Sequence, residues 1–218
     1  VFGAFTIFPD CNLPLASTSI NLSPFCPVKI ESKKGTLEIT KDEHPKPDVG
    51  LDKIQAMKPL FKKDGLVTAA TASGIVDGAA CSLLTSEEKA KDLGLKPLAR
   101  IISYASVGCD PKIMGIGPAA SSRLALERAG LKLEQMDLVE VNEAFAAQYL
   151  AVEKELGLNP AKSNVNGGAV AVGHPLAASG TRIMNHLVYE LQRRQAKYAL
   201  GSACIGGGQG ITIIIERL

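Results

Sequence analysis

Lys197–Glu216, KYALGSACIGGGQGITIIIE, is the stretch whose reading decides the fold. It reads as two buried strands, Lys197–Ala203 and Gly210–Glu216, around a glycine turn. The rival reading is a dinucleotide or phosphate loop. Gly206, Gly208 and Gly210 do not give GxGxxG spacing, and a strand rather than a helix follows, so the Rossmann reading fails. Residues 199–215 carry no charge but include five glycines and a Gln, and a spanning helix needs about 20 mostly apolar residues, so this is loop and core strand.

Upstream the pattern alternates. Ser179 reads as the N-cap of a helix to about Gln195, with Ile183, Leu187 and Leu191 on one face. Glu143–Gly157 reads as a helix with Phe145, Tyr149 and Val152 at helical spacing, preceded by a short apolar strand, Met136–Val141. Gly117-Pro118 opens a helix to about Gly130, with proline in the first turn, where its missing N–H costs nothing. Ala99–Val107 reads as a strand. Alternating strands and helices with a final strand pair predict an α/β layered domain over residues 97–218. Before it, Cys81–Thr85 reads as a strand and Ser86–Leu93 as a charged helix, following the small-residue run Ser73–Ala80. Lys29–Lys63 reads as a surface excursion, and residues 1–26 as irregular, punctuated by Pro9, Pro14 and Pro24. Residues 1–28 hold no Lys or Arg, so neither a secretory signal nor an Arg-rich transit peptide is visible there.

Composition sets outer bounds. With 218 residues, 46% of them hydrophobic, the chain can bury a real core. A net charge of +2 without a basic run interleaved with aromatics gives no reason to expect a nucleic-acid partner, and no membrane partner is expected. Cys11, Cys26, Cys81, Cys109 and Cys204 are scattered, with no CxxC pair and no His at metal-ligand spacing. That pattern predicts free thiols in a reducing compartment and no metal site.

Three groups carry candidate chemistry. Asn142 falls where a strand ends and a helix begins, the place where open α/β sheets put ligand-binding groups; its carboxamide can hold a water, donate to an oxyanion, or cap the helix. His174 lies in the glycine-rich loop Asn166-Gly167-Gly168 to Gly173-His174-Pro175, as a neutral-pH base or as a satisfied structural histidine; His44 and His186 read as structural. Pro175 restricts the histidine backbone to the extended region. Cys204 ends a strand before Gly206-Gly207-Gly208, whose unobstructed N–H groups suit an oxyanion hole; the alternative is a buried inert cysteine.

In order, Asn142–Gln148, Asn164–Gly180 and Gly201–Gly210 resemble the three C-terminal signatures of the thiolases. The likeness extends through Cys109–Pro118 and Ala72-Ser73-Gly74, covers about residues 27–218, and is nearest to the mitochondrial branch that handles 3-oxoacyl-CoA. It implies the layered thiolase fold, two similar α/β halves around a pair of central helices, with a complete C-terminal half over 97–218 and the end of the N-terminal half over 27–96. It implies a mitochondrial acyltransferase acting on 3-oxoacyl-CoA and acetyl-CoA, by thiolytic cleavage or Claisen condensation. Coenzyme A would be a substrate, no cofactor would be needed, and the full-length family would be homo-oligomeric. By resemblance, His174 and Cys204 are catalytic, the first activating a nucleophilic cysteine and the second shuttling the α-carbon proton. Asn142 and Gly206 serve the oxyanion holes, Ser73 touches the pantetheine arm, and Met114 and Phe145 line the pocket.

The departures are informative. Thiolases carry the nucleophilic cysteine well upstream of Ala72-Ser73-Gly74, at a helix N-terminus amid small residues. Here Cys11 and Cys26 are the cysteines before Ser73; Pro14 follows one by three residues and Pro27 directly follows the other. The expectation is therefore a chain without its nucleophile and inactive alone, the alternative role being a catalytically silent domain that binds CoA weakly or docks to another subunit. Thr71 stands where Asn is usual, Ala177-Ala178 where at least one Gly is usual, and Ala119-Ala120 for Val-Pro.

Overall fold

The computed structural model describes residues 3–6, as backbone, and residues 28–218. Cys11, Cys26 and most of the opening segment lie outside the described residues. One part of the segment expected to be irregular is a strand, β1 (Gly3–Thr6).

The excursion predicted over residues 29–63 is a hairpin, β2 (Val28–Ser32) and β3 (Gly35–Ile39), then a short helix, α1 (Leu51–Gln55). The hairpin residues are almost all exposed. Then come β4 (Leu83–Ser86), α2 (Glu87–Asp92), β5 (Ala99–Gly108), a 3-10 turn (Pro111–Ile116) and α3 (Gly117–Ala129). β6 (Leu138–Val141), α4 (Ala146–Leu156), α5 (Ala169–Val172), α6 (Ser179–Arg194), β7 (Tyr198–Ile205) and β8 (Gln209–Arg217) complete it. No described helix is long and apolar enough to cross a membrane.

The six-stranded sheet runs β4-β1-β5-β8-β7-β6. β6 and β7 are parallel, whereas β7 with β8 and β8 with β5 are antiparallel. β1 and β4 join through the first residues of β5, so one sheet crosses the boundary expected near residue 96.

Strand alternation sorts the core onto two faces. Ala199, Ile215 and Leu138 pack under α6 with Ile183, Leu187 and Leu191. Leu200, Ile214, Val139 and Val141 pack on the other face with Ala125 and Leu126 of α3 and Val152 of α4. On the α3 side a buried knot of hydroxyls centres on Thr212, whose Oγ1 lies 2.7 Å from Ser121, 3.1 Å from Ser122 and 2.8 Å from Ser202.

Two close approaches set how near the helices come. A Cβ at Gly201 would meet the Met184 Sδ at 2.8 Å, so α6 sits almost on the β7 backbone. A Cβ at Gly117 would meet the Gln209 carbonyl at 2.5 Å, and one at Gly210 would run into the Gly117 backbone.

Two helix starts differ from expectation. α4 begins at Ala146, not Glu143, because the chain there is first tied to a distant segment: Ser73 N–H donates to the Ala144 carbonyl and Ala146 N–H to that of Thr71. Ser179 is the first residue of α6 and Ala178 the cap, since the Ser179 hydroxyl is engaged elsewhere.

Gly210→Ala is expected to lower unfolding free energy by about 1–3 kcal/mol through forced backbone shift. Gly206→Ala, in the adjoining turn with nothing within 4 Å of its added Cβ, should stay within about 0.5 kcal/mol. Leu187→Ala should cost about 2–5 kcal/mol. Urea denaturation of the three variants checks the ranking.

Candidate active site

The parallel pairing of β6 and β7 brings their carboxyl ends to one edge of the sheet, with Val141 opposite Ser202. Asn142 leaves β6 at this edge, only 1% exposed, its N–H donating to the Ser202 carbonyl at 2.8 Å. Asn164, with a left-handed backbone (φ 44), fixes that exit by bonding both backbone groups of Val141 and the Glu143 carboxylate. The Asn142 carboxamide then presents Nδ2 to His174 at 3.3 Å. Its Oδ1 is buried with no partner among the described residues, an acceptor open to a water or a substrate donor.

His174 follows α5 and is held at both backbone and ring. Its N–H donates to the Gly74 carbonyl at 2.8 Å, and it bridges Ile75 in parallel register. Gly173, at φ 91, has Val76 pressed where a side chain would stand. The Ser179 Oγ lies 2.5 Å from Nδ1 and directs its single proton at the Pro175 carbonyl, 3.3 Å away. The hydroxyl therefore accepts from Nδ1–H, which leaves the Nε2 lone pair facing Asn142. Burial, and then the Arg182 charge, push this imidazole below the usual histidine range, so the neutral form prevails at pH 7.

Cys204 stands near the end of β7, on the opposite face from α6 by alternation with Leu200. Burial pushes its thiol up from the ordinary value, with the nearby Cys109 adding to the rise, so it is a protonated group able to give up a proton to a carbanion. Gly206 lies in the exposed turn just beyond, with open space around its Cα.

The remaining sequence-predicted residues fall on one connected wall. Ser73 is anchored to Ala144 through both N–H and hydroxyl, so its Oγ retains only acceptor capacity toward a ligand. Phe145 forms a bridge with Ala72, and Phe61 meets its ring edge-on at 6.4 Å. Met114 lies in the 3-10 turn, which Gln148 clamps to the Asn142–Phe145 segment: Nε2 donates to the Gly115 carbonyl and Oε1 accepts from Ala144 N–H. Direct contact joins Asn142 to His174, while Cys204 reaches the same edge on the neighbouring strand and Gly206 follows in the turn.

The sequence reading missed Ser179 as the anchor of the imidazole, Asn164 and Gln148 as clamps, and Phe61. It also set His44 aside, yet this ring packs directly on Gly74, beside the carbonyl that receives His174. The available signal was position: Ser179 and Gln148 lie within the quoted motifs, whereas nothing local marks His44 or Phe61.

Comparison with known proteins agrees with this geometry. Residues 95–217 match the thiolase C-terminal domain, and residues 23–88 the thiolase N-terminal domain. The chain is 57% identical over 191 residues to the mitochondrial 3-ketoacyl-CoA thiolase of Bos taurus, covering 88% of this chain and 48% of that protein. It is 52% identical over 192 residues to the acetyl-CoA acetyltransferase of Shinella zoogloeoides, covering 88% and 49%. The crystal structure of human mitochondrial 3-ketoacyl-CoA thiolase superimposes with a TM-score of 0.83 at 56% identity, over 88% of this chain and 49% of that one. The chain thus spans about half the length of these relatives. An imidazole and a carboxamide paired at the strand ends, a thiol on the next strand, and both domain matches lead to one conclusion: this chain belongs to the thiolase family.

Proposed function

We propose that the chain carries the base, proton-shuttle and oxyanion groups of an acyltransferase acting on 3-oxoacyl-CoA or acetyl-CoA. The observation that carries the reading is the orientation of His174, its Nδ1 anchored by Ser179 and its Nε2 directed at the Asn142 amide.

In the cleavage direction, His174 takes the proton of a nucleophilic cysteine, whose thiolate attacks the 3-keto carbon. The C2–C3 bond breaks, the acyl group stays on sulfur as a thioester, and the leaving enolate of acetyl-CoA takes a proton from Cys204. Coenzyme A then gives its thiol proton to the Cys204 thiolate and attacks the thioester, releasing the shortened acyl-CoA, and the His174 imidazolium returns its proton to the nucleophilic cysteine. Asn142 with His174 stabilises oxygen charge at one carbonyl, and the Gly206 N–H at the acyl-enzyme. Ser73, Met114, Phe145 and Phe61 form the wall for the pantetheine arm. Relatives named for mitochondria and the crystal structure of the human enzyme with CoA support this substrate class and a mitochondrial setting. Full-length assembly as a homo-oligomer is part of the same proposal.

The nucleophile is assigned outside the described residues. Cys204 has the proton role, Cys81 is exposed on the approach to β4, and Cys109 points its thiol at the Met114 carbonyl at 3.8 Å. A second reading, a silent domain that docks to another subunit, is favoured by one feature. Leu84, Ile101, Ile183, Met184, Ile211 and Ile213 line an open apolar cavity of about 500 Å³.

Thiolysis of acetoacetyl-CoA by the 218-residue chain, followed by loss of enolate absorbance, separates the two. The enzyme reading expects turnover that falls roughly 10²–10⁴-fold in His174→Ala and in Cys204→Ala. A folded chain with no turnover leaves a truncated thiolase whose nucleophile, and with it the catalysis, belongs to a longer form.

The pH profile of kcat/KM in whichever form turns over gives a second check. Because the His174 pKa is lowered, the acid limb should be centred below the ordinary histidine value. Because the Cys204 pKa is raised, the alkaline fall should lie above the ordinary thiol range. An acid limb centred above pH 7 would exclude His174 as the base.

A further inference from the structure

β6 carries a second buried polar side chain two residues before Asn142. Glu140 is 1% exposed and, by alternation, shares the α6 face with Leu138. Its carboxylate is gripped twice from α6: Arg182 Nη1 donates to Oε1 and His186 Nδ1 to Oε2. Ser179, Arg182 and His186, at i, i+3 and i+7, share one helix face. Two ladders therefore oppose each other, Asn142 and Glu140 on the strand, Ser179, Arg182 and His186 on the helix, with His174 clasped between their upper rungs.

The donor directions along this network follow from the groups that face each other. Arg193, then Arg194 and Asn166, hold the Glu190 carboxyl at about 2 against the upward push of burial. Asn166 Nδ2, an amide nitrogen that only donates, faces His186 Nε2 at 2.9 Å. His186 Nε2 accepts, and its Nδ1–H is left to donate to Glu140. Arg182 has no comparable second support, since its Nε is buried and partnerless among the described residues. Glu140 is the counter-charge that holds the guanidinium in place.

We propose that Glu140 is a positioning residue for His174. Through Arg182 it pins the first turns of α6, and with them Ser179, against β6, and it balances the guanidinium charge that the imidazole faces. The idea rests on the reading of His174 as the base. The other groups brought to His174 are Asn142 from β6, Ser179 from α6 and the Gly74–Ile75 backbone, with His44 packed on Gly74 as a further ionisable side chain.

The test is an NMR titration of the imidazoles in the 218-residue chain, which has three histidines, assigned with His44→Gln and His174→Gln. Glu140→Gln leaves the guanidinium unbalanced and should move the His174 pKa down by about one unit, whereas Arg182→Gln should move it up by about one unit. Folded single variants that leave His174 unmoved, or shift it in the same direction, overturn the proposal. Removing one partner of a buried pair is destabilising, so E140Q/R182Q, which removes both charges, is titrated alongside. Arg182 is the charge that holds the imidazole down, so the double variant should raise the pKa by less than about one unit; a lowered or unchanged value overturns the proposal. The readout needs no turnover. An inert chain with opposite-signed shifts loses only the functional reading, and an active chain with an unmoved His174 loses only this one.

Discussion

Gly201 leaves room on β7 for α6 to descend until Met184, Ile183 and Leu187 touch the strand, and the site is built from what that closeness brings side by side. Were the helix held off by a side chain, Ser179 could not reach the imidazole and Arg182 could not reach Glu140. The apolar residues beneath α6 supply the driving force, at roughly 25 cal/mol per Å² of apolar area removed from water. Direction comes from the polar contacts, which are satisfied in one register of helix against strand. Hydrophobic burial is tolerant of sliding, whereas an ion pair and a hydroxyl–imidazole bond on successive turns are not.

The sheet also separates two titratable side chains. His174 approaches the strand ends from the α6 side, just ahead of the helix N-terminus, whose partial positive charge disfavours an imidazolium as burial and Arg182 do. Cys204 faces the α3 side, among apolar and thiol neighbours that disfavour a thiolate. An imidazole kept neutral and a thiol kept protonated thus sit on opposite faces of one sheet edge. Parallel pairing of β6 with β7 puts both there.

Much of this was legible in the sequence, for physical reasons. β5, α3, α6, β7 and β8 were found within a few residues because their apolar periodicity reports which face is buried, and tertiary packing agrees with it. The start of α4 was not, because Glu143–Phe145 pairs with residues 71–73, a contact between segments about seventy positions apart that no local pattern records. The role of Ser179 was misread for a related reason. A serine at a helix start satisfies the capping rule, yet its hydroxyl had a better partner five residues back, in a loop whose path the sequence does not state. His44 and Phe61 belong to an excursion with little periodicity, and only the fold brings them beside Gly74 and Phe145. His186 looked like an ordinary mid-helix residue because its partners, Glu140 and Asn166, come from two other elements.

The position of β8 bears on how the protein comes to be made. It lies between β5 and β7, the middle of the sheet, although it is the last described strand in the chain. On a ribosome, residues 99–108 emerge about a hundred residues before the 209–217 segment that must pair with them. Until then β5 lacks its main partner, β7 lacks one of its two neighbours, and the Thr212 hydroxyl knot cannot form. Loop closure over that separation is entropically slow, so β5 and β7 face solvent or a chaperone for the whole interval. The sheet closes from its centre only when synthesis has passed residue 217 and that strand is free of the exit tunnel.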